Sequence, residues 1–155
     1  MIQFDEPAWT AFPEDVVWAA EVLKTAIEGL GVKIGLHICG GNAYRKRSYF
    51  APYTDMAEAF QIVPVDQLSL ERCTLDYDMM ALWDKIDYKG EFAVGVLDQR
   101  SDRMESPSEI TERTRPAMRY FSPERLLLAS ECGFQHVPIP ITRGKLRVLV
   151  KGAEH

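Results

Sequence analysis

Short apolar runs alternate with longer stretches whose apolar residues recur at helical spacing, and the alternation continues from one end of the chain to the other. Met1 to Phe4 reads as a first strand. Pro7 and Pro13 interrupt the chain after it. Glu14 to Leu30 then carries Val16, Val17, Ala20, Leu23, Ile27 and Leu30 at helical spacing and stops at Gly31. Val32 to Ile38 is a second strand. After it come the pair Gly40-Gly41, a basic and aromatic loop from Asn42 to Tyr53, and a short helix near Thr54 to Phe60. Gln67 to Leu70 is the third strand, and Asp76 to Ile86 predicts a helix whose inner stripe is Met79, Met80, Leu82, Trp83 and Ile86. Phe92 to Leu97 is apolar throughout, as a buried parallel strand is. Ser106-Pro107-Ser108-Glu109 combines a capping serine, a proline at the first helical position and a glutamate three residues on, which starts a helix running to about Tyr120. Leu126 to Ala129 is the fifth strand. Ile141 to Lys151 is the last helix, with Lys145, Arg147 and Lys151 toward its end.

Five strands and five helices in strict alternation call for an α/β fold with a parallel sheet and helices packed outside it. No low-complexity linker divides residues 1–155, so they form a single domain. In such folds the chemistry gathers at the carboxyl ends of the strands, where loops vary without disturbing the sheet. The 18 Lys+Arg against 23 Asp+Glu give a net charge of -5, which provides no basic field for a phosphate backbone and excludes nucleic acid as a partner. No run reaches the roughly 18 apolar residues of a membrane span, and no basic stretch leads into an apolar one at the N-terminus; a cytoplasmic protein is expected. Three cysteines argue against a disulfide framework and leave metal or thiol chemistry open.

The strands exit into Asp5-Glu6, His37-Ile38-Cys39, Glu71, Asp98-Gln99-Arg100 and Glu131-Cys132-Gly133. The strand period of two sends His37 and Cys39 to one face, so imidazole and thiolate can converge on one ion. With Glu71 and Cys132 at two further exits they make a set of two sulfurs, one nitrogen and one oxygen, which favours zinc. Each residue alone is more often a packed or ion-paired group; four on one rim are harder to dismiss. Cys73 has no partner pattern and is a bystander. The loop Tyr44-Arg45-Lys46-Arg47-Ser48-Tyr49-Phe50 reads either as a clamp for a carboxylate or phosphate or as an exposed tip with its arginines lying along the surface. His136 is a candidate contact or an exposed loop histidine, and His155 is terminal.

The segments Gln3-Phe4-Asp5-Glu6-Pro7, His37-Ile38-Cys39-Gly40-Gly41-Asn42, Leu68-Ser69-Leu70-Glu71, Gly95-Val96-Leu97-Asp98, Met104-Glu105-Ser106 and Glu131-Cys132-Gly133-Phe134 resemble, in that order, the catalytic C-terminal domain of cobalamin-independent methionine synthase. The resemblance implies a catalytic zinc held by His37, Cys39, Glu71 and Cys132, and a role for Asp5 in holding the amino group of homocysteine. It implies methyl transfer to that thiol, bound as thiolate, from a folate or corrinoid donor. Where the long, folate-using relatives carry a His-Ser pair after the fourth strand, this chain has Arg100-Ser101, and arginine is a poor general acid. In that respect it is more similar to the short, archaeal-type members of the superfamily. Arg100 and Glu105 are candidates for contacting substrate or donor, with an ion pair across their loop as the plainer alternative.

The family fold is a (β/α)₈ TIM barrel, and five consecutive βα units are a partial barrel, its C-terminal portion. That leaves three readings: a zinc-dependent methyltransferase completed by a homo-oligomer or another chain, a truncated or split-barrel fragment that binds zinc without catalysis, and a transferase acting on another thiol such as coenzyme M.

Overall fold

The strands pair in the order in which the chain makes them: β1 (Ile2–Asp5), β2 (Ile34–Ile38), β3 (Gln67–Glu71), β4 (Glu91–Leu97) and β5 (Leu126–Ser130), all parallel. The structure is a computed structural model and describes residues 1–154; His155 lies outside the described residues. Sequential order matters. Right-handed crossovers between successive neighbours all fall on one side of the sheet, which builds the wall of a barrel, whereas a doubly wound sheet reverses its order at a switch point. The fold is a mixed α/β partial barrel of five strands.

The α-helices are α1 (Ala8–Ala11), α2 (Val16–Ile27), α3 (Ala57–Ile62), α4 (Pro107–Thr114) and α5 (Ile139–Ala153). One set of strand residues, including Leu36, Ile38, Leu68, Leu70, Phe92 and Val94, joins Val16, Ala20, Leu23 and Ile27 of α2, Phe60 of α3 and Ile110 of α4 in a single buried cluster. Each such side chain contributes about 1.5–3 kcal/mol of burial. The alternate strand positions carry Gly35, His37, Ser69, Glu71, Ala93 and Gly95, a small and polar inner face. Gly95 has to be glycine, because a Cβ there would lie 2.9 Å from Leu70 O and from Glu131 Cα. The β4–β5 register shifts just beyond it, between Gly95 and Leu97.

The structure corrects the expectations from sequence in three places. Asp76 to Ile86 is not an α-helix: only Met79–Leu82 coils, as a 3₁₀ turn capped by Asp78, whose carboxylate accepts from Met80 N at 3.0 Å. The apolar stripe is real and buried, but Trp83 sets the path by packing edge-on against Phe92 and Phe121, both at 4.7 Å. The crossover from β3 to β4 therefore holds no α-helix. The helix from Ser106 ends at Thr114, because Pro116 cannot continue it, and Ala117–Arg119 forms a separate 3₁₀ turn. Its capping box is as the sequence predicts, with Glu109 N donating to Ser106 Oγ and Ser106 N to Glu109 Oε2. The long first helix divides into the 3₁₀ turn Pro13–Asp15 and α2, which leaves Val17 and Leu30 exposed. In the last helix, Lys145 is completely buried.

Candidate metal centre

β2 carries His37 and Cys39 to the rim on its inner face, and the turn after β5 carries Cys132 to the same place. One ligand atom from each of the three lies within 4.8 Å of the others, and the two sulfurs are 3.5 Å apart. Hydrogen bonds fix the strand end that presents them. Thr10 Oγ1 donates to Cys39 O at 2.7 Å, Tyr53 Oη donates to Ile38 O at 2.9 Å, and Tyr53 Oη in turn accepts from Glu71 N at 3.2 Å. Gly41, at φ 63°, then turns the chain sharply away.

The electrostatics are those of a shared proton. The hydrogen bond between the two thiols holds Cys132 below its ordinary value, against the opposing effect of burial and with help from His37. The same bond and then burial push Cys39 upward. Burial works to lower the pKa of His37, but its interaction with the Cys132 thiolate and the charges of Asp5 and Glu71 raise it. His37 Nδ1 lies 3.2 Å from Ser69 Oγ, while Nε2 is buried with no hydrogen-bond partner among the described residues. Two sulfurs 3.5 Å apart and a buried imidazole nitrogen without a hydrogen-bond partner among the described residues are donors that fit zinc.

Glu71 is adjacent but outside this tight trio. It is buried, its oxygens accept from Gly40 N at 3.1 Å and from Asn42 Nδ2, and Arg47 approaches at 3.6 Å. Burial first, then the charge of Glu131, raises its pKa, with Arg47 and Asn42 opposing. Asp5 is in register with His37, accepts from Gln3 Nε2 at 2.8 Å, and helps line an open cavity of about 700 Å³ that His37, Cys39, Ser69 and Cys132 also line.

Arg100 and Glu105 do not line that cavity, and they do not pair with each other. Arg100 meets Asp98 at 3.3 Å and Glu131 at 3.8 Å. Glu105 is buried against Lys145 at 2.7 Å, accepts from Asp98 N at 3.0 Å and is approached by Arg113 at 3.5 Å. A carboxylate with its oxygens so occupied shapes the loop after β4; it does not face the cavity. In the basic loop only the two arginines turn inward, while Tyr44, Lys46, Ser48, Tyr49 and Phe50 are exposed: Arg45 donates to Arg100 O at 2.9 Å and pairs with Asp102, and Arg47 donates to Tyr49 O at 2.7 Å. Tyr44 stacks on His136 with ring centroids 4.9 Å apart, across the loops after β2 and β5.

Three residues to which the sequence alone assigns no role matter here. Glu131 is fully buried and accepts from Arg72 N at 3.0 Å, Thr74 N at 2.8 Å and Thr74 Oγ1, which ties the exits of β3 and β5 together. Tyr53 bridges the ends of β2 and β3. Ser69 touches the His37 ring, and its place on the inner face is readable from strand alternation alone.

The family described as the catalytic domain of cobalamin-independent synthase matches residues 1–155. A methionine synthase of Sulfurisphaera tokodaii is 34% identical over 154 residues, covering 99% of this chain and 42% of that protein. One from Sulfolobus acidocaldarius is 36% identical over 152 residues, covering 98% of this chain and 41% of that protein. The chain thus spans about two-fifths of the length of these relatives. Among solved structures, a B12-independent methionine synthase from Shewanella sp. W3-18-1, in complex with selenomethionine, superposes with a TM-score of 0.86 at 31% identity, covering 99% of this chain and 47% of that one.

Proposed function

Because the chain belongs to the family of cobalamin-independent synthase catalytic domains, we propose that it forms the metal-binding wall of a zinc-dependent methyltransferase that converts homocysteine to methionine. The observation that carries this reading is the convergence of His37, Cys39 and Cys132 at the rim of an open cavity. These three hold the zinc, and Glu71, on the same inner face, is the fourth ligand. Zinc bound there supplies a position at which a substrate thiol is held as its thiolate at neutral pH.

The rest falls to the chain. Asp5, exposed at the end of β1 and in register with His37, takes the ammonium group of the amino acid. The cavity admits the thiol and leaves a path for the methyl donor, a methylfolate or a methylcorrinoid. Arg100 and Glu105 act from outside the cavity by holding the loop after β4. Selenomethionine in the Shewanella relative is in keeping with a methionine-shaped product in this cavity. No helix among the described residues is long and apolar enough to cross a membrane, and we place the protein in the cytoplasm.

A second reading is favoured by the sheet edges. β1 and β5 each lack a neighbour on one side, so the chain binds zinc alone but catalyses only when a further chain or copy completes the barrel. The test is metal analysis of the wild type and of Cys132→Ser, and then methyl transfer to homocysteine. We expect one zinc per wild-type chain and loss of zinc in Cys132→Ser, whereas Cys73→Ser retains it. Zinc well below stoichiometric in the wild type, or unaffected by Cys132→Ser, would show the site to be wrong.

A further inference from the structure

We infer that Ser69 is a positioning residue of the metal centre: its hydroxyl fixes the His37 ring so that Nε2, and not Nδ1, faces the two sulfurs. The inference rests on the zinc reading above. His37 and Ser69 are direct partners in the β2–β3 register, so the alternation of the strands puts both side chains on the inner face. Ser69 Oγ lies 3.2 Å from Nδ1, while Nε2 is buried and unpartnered among the described residues.

A neutral imidazole carries one N–H. With that hydrogen on Nδ1 and donated to Ser69, the lone pair is left on Nε2, the form a metal requires. Without the serine oxygen, Nδ1–H becomes a buried donor with no acceptor, and the ring gains by turning over or by shifting its proton to the wrong nitrogen. Asp5, the register partner on the other side of His37, already accepts from Gln3. Size does not explain the serine. Its own partner on β4 is Ala93, so alanine is accommodated at this level of the inner face. Ser69 differs from alanine by one oxygen, and that oxygen is the atom against the ring.

The experiment measures zinc affinity of the full chain by competition with a chromophoric chelator, for the wild type, Ser69→Ala and Ser69→Thr, alongside the melting temperature of each metal-free chain. Ser69→Ala should bind zinc about 10–100-fold more weakly with an unchanged metal-free melting temperature, and Ser69→Thr, which restores the hydroxyl, should recover most of the loss. Affinity of Ser69→Ala within about twofold of wild type overturns the inference, as does a threonine variant no better than alanine. A loss matched by a fall in the metal-free melting temperature assigns Ser69 to the fold and overturns it too. If Cys132→Ser loses zinc while Ser69→Ala does not, the positioning role alone fails; a wild type that takes up no zinc removes the metal centre and the inference with it.

Discussion

Cys39 and Cys132 share a hydrogen bond, and zinc held between them as proposed would displace its proton, which would give the site a definite pH dependence. A thiol binds metal as thiolate and histidine binds as neutral imidazole. Their mutual hydrogen bond lowers the pKa of Cys132, while that bond and then burial raise that of Cys39, so the pair resists giving up its last proton. Its loss on metal uptake makes zinc binding tighten as pH rises, by about tenfold per pH unit for each proton released. The raised pKa of His37 works in the same sense, since its proton too must leave before the ring can ligate. Zinc affinity measured between about pH 6 and pH 8 should therefore climb with a slope of at least one, and an indicator dye in weak buffer should register the proton release. An affinity independent of pH would mean that the thiols do not ligate. Of this chemistry, the sequence discloses the convergence of His37 and Cys39, because one strand carries both and its period is fixed. The shared proton is invisible there, since it depends on a distance between residues 93 positions apart.

At the level of elements, α5 is attached to the loop after β4 by the Lys145–Glu105 pair, in which Lys145 Nζ also donates to Arg103 O at 2.6 Å. Both side chains are shut away from water, at 0% and 1% exposure. Removing one partner leaves the other charge buried, which costs about 3–5 kcal/mol. Lys145→Met should show that loss in chemical denaturation, and Glu105→Leu added to it should recover a large part, since the stranded charge is then gone. Additive losses in the double variant would mean that the two side chains do not form a unit. The position was legible in part: Lys145 stands four residues after Ile141 and three and four before Val148 and Leu149, on the buried side of α5. What burial does to a lysine depends on Glu105, contributed by another element, and periodicity alone gives no hint of it. The segment 76–86 fails in the reverse way. Its apolar spacing suits a helix and a 3₁₀ turn equally, and the aromatic packing of Trp83 decides between them.

For the whole molecule, the five-strand order is a barrel wall with two open edges among the described residues. At β1 the sheet edge and α2 border an apolar cavity of about 420 Å³ lined by Phe4, Trp9, Phe12, Trp18, Val22 and Leu23. Trp18 on its rim is 70% exposed and Phe12 55%, a contiguous apolar face of the kind that marks an interaction surface. A closed barrel needs eight strands, and a preceding βα unit would pair its strand with β1 and lay its helix along α2, covering this surface. The relatives, of which this chain spans 42%, have the residues for such units. The chain alone should therefore self-associate with rising concentration, as seen in its mass by light scattering, and bind a hydrophobic dye. Trp18→Glu together with Val22→Lys should shift it toward monomer and reduce dye binding while leaving zinc content unchanged, because neither residue approaches the metal centre. Addition of a chain carrying the missing βα units should abolish self-association of the wild type and fail to act on the double variant. A wild-type chain that stays monomeric at every concentration, takes up no dye and transfers methyl groups unaided would mean that the five units close without help, and the apolar face would then need another explanation.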